Sequence, residues 1–524
     1  MSAGRDAVRK REANEKHHRL GPGARPAIAA GLTALMALAI APASAGALGN
    51  AYVVPGLAQD NPAAEMRCAV GAGGEAVLML PDAASGTTRI NRYDRQGAPI
   101  WSAPQVLPGV PLADLATDRL GNYVVVEEAE DHSAIHAAVY TRDGGVLTPR
   151  FRVDPGNGQA WVARVAMNNN GVFAVAWQED DGSGWQAIRA RVFERDGTPR
   201  SAVLTAASGN GAARPRGPWD FAIDGAGRFS LVWEYGAEGQ SFSRVGTIRF
   251  DAAGNVVQPF DIGSDPWARA SRSSIAGNQN GDQVGVWLEH NDLSYRGAIR
   301  FQRYAPSGAK LGGPVTVDEG AASAMDPRVG VAEDGGFVVM WAAGEDRDDW
   351  YSSPRMWARQ YRKDGSPVGA VFRIDQAPAD AQVFGFHELC VGHSGRFLPI
   401  WGQYDGSTVR MHARPYLLDE AVAATELSSG VAVGGLAGAS GSFRYYKLFV
   451  PPGQASFSVT MSGAGDADLF LKHGSAPTED VFDLSPARDG SNEGVLVNNP
   501  PTGEFYIGVF GYSNYSGVTV QADL

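Results

Sequence analysis

The residues of this 524-residue chain best equipped for chemistry are carboxylates and tryptophans that recur in loop-like stretches. After a repeated Trp-type position the sequence reads Glu128, Glu130, Asp131 in one unit and Glu179, Asp180, Asp181 in the next. Later units carry Glu289 and Asp292, then Glu345, Asp346, Asp348 and Asp349. Trp185 and Trp350 stand inside such stretches, and Trp161, Trp219 and Trp267 fall in connections predicted to open on the same side. Aromatic faces beside hydrogen-bonding carboxylates stack on sugar rings or hold cationic peptides. The candidate ligand-binding set is therefore Trp161, Trp185, Trp219, Trp267, Trp350, Glu179, Asp180, Asp181, Asp348 and Asp349. Taken singly, each is more simply a solvated loop charge or a ring packed over a loop.

Catalytic signatures fail by comparison. His387-Glu388-Leu-Cys-Val391 begins like a zinc-protease motif, but the second His is replaced by Val391 and the segment reads as a strand. That motif needs a helix to bring both histidines to one face. No G-x-S-x-G elbow occurs. A carboxylate pair about 5–9 Å apart in space is all that glycoside hydrolysis requires, and the acidic stretches leave that open. No catalytic residue is assigned.

What must position these residues is a repeat. Gly, an aromatic two residues on and Trp at the sixth recur as Gly171…Phe173…Trp177, Gly227…Phe229…Trp233 and Gly335…Phe337…Trp341, and from Gly281 and Gly395 to Trp287 and Trp401. Weaker copies begin at Gly121, where Glu127 replaces the Trp, and near Gly74. A second marker follows each copy, an aromatic usually trailed by Gly four residues later: Tyr93, Tyr140, Phe193, Phe250, Tyr304, Tyr361 and Tyr416. Two markers agreeing on seven units predict seven four-stranded blades. The strand bearing the Trp is apolar on both faces, as in Val172 to Trp177, which suits a sheet buried between neighbours. The five Trp at this position are expected to pack between blades. Residues 46–420 are thus read as a seven-bladed β-propeller. Cys68 and Cys390 fall on the first strand of the first and last blades, neighbours in a closed ring, and are predicted to form a disulfide.

Composition changes near residue 420: all 12 Trp lie between Trp101 and Trp401. Phe457, Val459 and Met461 then alternate with Ser456, Ser458 and Thr460, the period of a half-buried strand. In order come Leu427-Ser-Ser-Gly430, Tyr445-Tyr-Lys-Leu-Phe-Val-Pro-Pro-Gly453, Gly465-Asp466-Ala-Asp468-Leu-Phe470, Asn499-Pro-Pro-Thr-Gly503-Glu-Phe-Tyr506 and Tyr512-Ser-Asn-Tyr515. Residues 424–524 resemble the bacterial pre-peptidase C-terminal domain. That family is a jelly-roll-like accessory module on exported proteins, and the resemblance implies secretion or substrate targeting rather than catalysis. The whole is all-β, a propeller followed by a small jelly-roll-like sandwich. Asp466 and Asp468 are the candidate metal ligands and calcium the one cofactor suggested, the competing reading being turn capping by Asp.

Residues 1–45 read as a signal peptide: a basic stretch, an apolar run from Ala27 to Ala41 too short to span a membrane, and Ala43-Ser44-Ala45 for cleavage. Seven of the 45 basic and three of the 57 acidic residues lie there, so the remainder carries a net charge of −16. Such a surface disfavours nucleic acid. The expectation is a secreted or periplasmic, monomeric, non-enzymatic binding protein, without a membrane span, whose loops engage an extracellular polysaccharide or protein polymer. The rival expectation is a secreted peptidase or glycosidase acting on the acidic-loop face.

Overall fold

A computed structural model describes residues 46–524 apart from 48–49, 60–65, 72–74, 83–84, 95–96, 109–112, 157, 181–185, 210–214, 236–243, 263–268, 291–296, 318–323, 345–353, 378–381, 393–394, 405–408, 419–423, 474–475, 478, 480–481, 487 and 502. Residues 1–45, read as a signal peptide, lie outside the described residues.

Seven antiparallel sheets occupy the chain up to Leu417, and six of them are four-stranded meanders running outward in chain order. Their innermost strands are Arg67–Val70, Ala113–Thr117, Gln159–Met167, Pro215–Ile223, Arg269–Gly277, Met325–Val331 and Gln382–Val391, which we assign to blades 1 to 7. Each inner strand packs against the next, and the seventh packs against the first, so the sheets close into a ring around a channel.

Packing between blades follows from the doubly apolar second strand. In blade 3, Phe173, Val175 and Trp177 enter a core shared with Val124, Val126 and Val139 of blade 2. The intervening Ala174 and Ala176 enter another, shared with Phe221, Leu231 and Phe250 of blade 4. Trp177, Trp287, Trp341 and Trp401 are fully buried, and Trp233 is half-buried. The indole N–H groups of those four buried residues make no hydrogen bond, so these rings are held by packing alone.

The two sequence markers prove to be partners. Tyr123–Tyr140, Phe173–Phe193, Phe229–Phe250, Phe337–Tyr361 and Phe397–Tyr416 stack at 4.9–5.4 Å between ring centroids. The first four pairs stand directly opposite each other on adjacent strands, an arrangement that stabilises a sheet beyond the area it buries. From the second unit on, the glycine opening each unit sits in the tight turn between first and second strands. Gly171, for example, has φ +81°, a conformation that side chains with a Cβ resist.

Two fasteners close the ring. The outer strand of blade 7 comes from the other end of the chain: Tyr52–Gln59 pairs with Val409–Ala413, Tyr52 opposite Ala413. The second fastener is the Cys68–Cys390 disulfide, which joins the inner strands of blades 1 and 7 across 322 residues with Cα atoms 6.0 Å apart.

Residues 425–523 form two four-stranded sheets. Phe443–Val450, Gly503–Gly511 and Ala467–His473 belong to one, and Tyr515–Asp523, Ser456–Ala464 and Glu493–Asn498 to the other. Val459, Leu469, Ile507, Val509 and Val520 fill the space between. Phe457, Val459 and Met461 are buried while Thr460 is exposed, as the alternation requires.

This module sits on the short-turn face of the ring. The Asn169 side-chain amide, from the first turn of blade 3, donates to the Ser440 carbonyl at 3.4 Å. Gly441 lies so close to Asn169 that a Cβ there would fall 1.6 Å from its amide nitrogen. Arg119, in the equivalent turn of blade 2, bonds Glu479 and the Tyr512 carbonyl and lies over the Phe510 and Tyr512 rings.

Candidate functional site

The seventh residue before each repeat glycine stands on an inner strand facing the channel. Around the ring these residues are Arg67, Asp114, Arg164, Asp220, Ser274, Arg328 and Glu388, and all seven line one cavity of about 300 Å³. Cations and anions alternate round six of the seven blades. An odd ring cannot alternate throughout, and the break falls on Ser274.

The pairing is uneven. Arg67 is shared between Asp114 at 3.4 Å and Glu388 at 3.3 Å. Asp114 also accepts the Val165 N–H at 2.8 Å and feels Arg164. Burial nevertheless pushes its carboxyl above the usual range, against the pull of Arg67 and Arg164. Glu388 has Arg328 at only 3.8 Å. Asp220 is held by neutral donors, the Ser274 hydroxyl at 2.7 Å and the N–H groups of Ile275 and Phe221 at 3.1 and 2.8 Å.

Bulges place this ring near the mouth on the long-loop side. The pairing of the inner strand with its neighbour slips just before Arg164, Asp220, Ser274 and Arg328. Val162, Arg272 and Asp326, each two residues before a ring residue, take positive φ of 48–54°. A β-bulge re-aims the side chains that follow it, and such strained positions persist only where their surroundings hold them. Here the holders are buried carboxylates of the preceding blade. Glu128 accepts the Val162 N–H at 2.9 Å and Glu234 that of Arg272 at 2.6 Å. Two residues beyond the charged ring come Ala69, Ala116, Ala166, Ala222, Ala276, Gly330 and Cys390, all small, where the strands converge. At Gly330 a Cβ would strike Val391 of blade 7 at 1.9 Å. Towards the short-turn face the channel meets Gln279, whose side chain accepts the Asn169 N–H at 3.0 Å and whose carbonyl accepts that of Gly225. Gly441 of the C-terminal module packs against this same pair.

The residues predicted to bind ligand are only partly described. Trp185, Trp267, Trp350, Asp181, Asp348 and Asp349 lie outside the described residues, and Trp219 is described only as part of its strand. Trp161 and Trp219 were expected in connections between blades. Both lie instead within inner strands, because each strand extends past the bulge. Trp161 is half-buried and meets His132 edge-on, and His132 in turn bonds Glu128. Glu179 is paired with Arg189 at 2.8 Å, and Asp180 accepts from Gln186 at 3.3 Å. His387 and Glu388 lie on the strand Gln382–Val391, with His387 buried and bonded through Nε2 to the Asp326 carbonyl at 2.6 Å.

Among the described residues, Asp466 and Asp468 are engaged with backbone donors and buried surroundings rather than gathered with a third ligand. Asp466 accepts the Gly490 N–H at 2.8 Å, as a capping Asp does. Nearby Glu493 gives its two oxygens to the N–H groups of Leu469 and Arg488, each at 2.6 Å. No group of three or more carboxylate, His or Cys side chains is arranged to hold a metal among the described residues. Asp468 is 7% exposed, and its carboxyl is pushed up to about 6 by burial and by the charges of Glu493 and Asp466.

Comparison with known proteins identifies the module. Residues 442–511 match the bacterial pre-peptidase C-terminal domain. Over 98 residues the chain is 43% identical to alkaline serine exoprotease A of Vibrio alginolyticus, covering 19% of this chain and 18% of the relative. It is 38% identical over 98 residues to a zinc metalloprotease of Helicobacter pylori, covering 18% of this chain and 38% of the relative. The chain thus spans well under half the length of these proteases. Among solved structures, it covers all of the Aleuria aurantia lectin at 12% identity and a TM-score of 0.38, with 62% of this chain matched. No helix among the described residues is long and apolar enough to cross a membrane. Similarity to secreted proteases in this module fits an exported protein.

Proposed function

We propose that the chain is an exported binding protein whose long-loop face engages an extracellular polysaccharide or protein polymer, with the C-terminal module assisting secretion or attachment. The observation that carries this reading is the state of the channel acids. Asp114 and Glu388 are bonded to Arg67, and Asp220 is held by a hydroxyl and two backbone N–H groups. A hydrolase acid–base pair needs one carboxyl kept protonated and its partner free to act on substrate or water. Burial raises the Asp114 carboxyl, as an acid catalyst would need, but both its oxygens are committed, one to Arg67 and the Leu115 N–H and the other to the Val165 N–H, which suits recognition better than proton transfer. Two protease relatives of different chemistry, serine and zinc, carry the same module over 98 residues. That recurrence supports an accessory role for the module here.

The test uses purified residues 46–524 on insoluble polysaccharides, collagen and casein, with protein retained and soluble fragments released recorded together. Retention without fragments is the expected result and names the ligand class. Fragment release that survives repurification would overturn the reading in favour of a secreted hydrolase.

A further inference from the structure

From the break in the charged ring we infer a second binding site, for a small zwitterion, inside the channel. It concerns the inner strands rather than the long loops, so it stands or falls apart from polymer binding.

Three observations carry it. First, the ring supplies three guanidinium groups and three carboxylates to one cavity of about 300 Å³, at the lower end of the range of small-molecule pockets. Second, charge is satisfied on one side of the ring and left over on the other. Arg67 pairs with both Asp114 and Glu388, whereas among the described residues Asp220 is bonded by neutral donors alone and Arg328 reaches a carboxylate only at 3.8 Å, besides the Pro327 carbonyl at 3.3 Å. The nearest cation on that carboxylate is Arg67, at 3.3 Å, so Arg328 is the lesser partner of a shared acid. Third, the anion and the cation left over flank the same blade, the one that contributes the uncharged Ser274.

A ligand bearing one positive and one negative group restores the alternation. Its ammonium takes Asp220, its carboxylate takes Arg328, and it spans blade 5 beside the Ser274 hydroxyl. Hydrogen bonds in which both groups are charged are the strong ones, and they gain further away from bulk water. A simple anion gains only the Arg328 half and meets Asp220 as repulsion, and a simple cation gains only the other half. The chemical class is therefore a free α-amino acid or short peptide, and the gap sets its length. Ahead of Ser274 and Arg328 on the same strands, Arg272 and Asp326 pair with one another.

Isothermal titration calorimetry of residues 46–524 with glycine, diglycine and triglycine tests this, with acetate and methylammonium as single-charge controls. At least one member of the glycine series should bind, and Asp220→Asn and Arg328→Gln should each weaken it by about tenfold or more. Neither control should bind comparably. No heat from any of the three up to about 10 mM overturns the site, as does binding that both variants leave unchanged. Acetate binding as well as the glycine series, with loss only in Arg328→Gln, also overturns it and leaves an anion site. Should Asp220→Asn fail to fold, Ser274→Gln, which fills the gap with a neutral chain, should abolish binding instead.

Discussion

The Arg119 guanidinium sits 3.2 Å from the Glu479 carboxylate, and through that contact the ring and the C-terminal module are joined by a largely buried ion pair. The two side chains are 11% and 13% exposed, and the same guanidinium lies 4.0 Å above the Tyr512 ring and 4.5 Å above Phe510. Arg119→Ala removes the guanidinium from Glu479 and from both rings, at a cost of about 2–3 kcal/mol. The expected outcome is faster proteolytic cutting between residues 418 and 424, read by mass spectrometry, with the ring fragment itself intact.

Breaking the Cys68–Cys390 bridge acts on the unfolded chain more than on the folded one. Cys68→Ser with Cys390→Ser should lower stability by about 2–4 kcal/mol in a denaturant titration. The paired N-terminal strand keeps the ring closed, so the far-UV spectrum should not change. Detection of two free thiols in the unreduced, denatured chain would remove the bridge altogether.

Arg249 is 0% exposed and pairs with Asp224 at 3.2 Å, tying the third strand of blade 4 to its own first turn. Asp224→Ala leaves that charge buried and unpaired and should cost roughly 3–5 kcal/mol. Replacing Arg249 with Met in the same chain should recover much of the loss, because two charges are then removed rather than one. A single variant within about 0.5 kcal/mol of wild type in urea would contradict this.

Acid should act in opposite directions on the two parts of the chain. Asp468 in the module titrates near 6 when folded, against an ordinary value of 3.8, because it is buried beside Glu493 and Asp466. Between those values the folded state holds the extra proton, so this group's contribution to stability falls as pH rises from about 4 to 6. Asp468→Asn should therefore stabilise the protein at pH 7 by about 1–2 kcal/mol. The gain should vanish towards pH 4 in a series of calorimetric scans.

His387 in the ring has the reverse sign. Burial, and then the Arg328 charge, lower its folded value below the usual 6.5. The unfolded chain then binds the proton more readily, and the stability His387 contributes is lost as pH falls below about 6.5. His387→Gln should flatten that loss between pH 7 and 5, seen as a smaller drop in Tm.

The ring's repeat was legible in the sequence because its two markers touch. Phe173 and Phe193 are far enough apart in the chain to look independent, yet they stack on one another, and five of the seven units carry such a pair. The disulfide was legible for a related reason: register within the repeat places Cys68 and Cys390 on inner strands that meet. The charged ring was missed although its signal was present. Reading seven residues back from Gly121, Gly171, Gly227, Gly281, Gly335 and Gly395 gives Asp114, Arg164, Asp220, Ser274, Arg328 and Glu388. A search for what repeats passes over a position defined by how it varies. Trp161 and Trp219 were misplaced for a local reason, since a bulge lets a strand continue where alternation of side chains ends. The strand Tyr52–Gln59 carried no repeat marker, because its partner is more than 350 residues away.

That last pairing sets an order of events during synthesis. Tyr52–Gln59 is made before any inner strand, yet its partner Val409–Ala413 follows after the whole ring has been translated. This early-made strand must stay unpaired through translation of six blades and most of a seventh. Contacts so distant along the chain make folding slow, and an idle strand with open hydrogen-bonding groups is the kind that recruits a second molecule. A polypeptide kept unfolded until it has left the cytoplasm avoids that wait, because both ends then become available together.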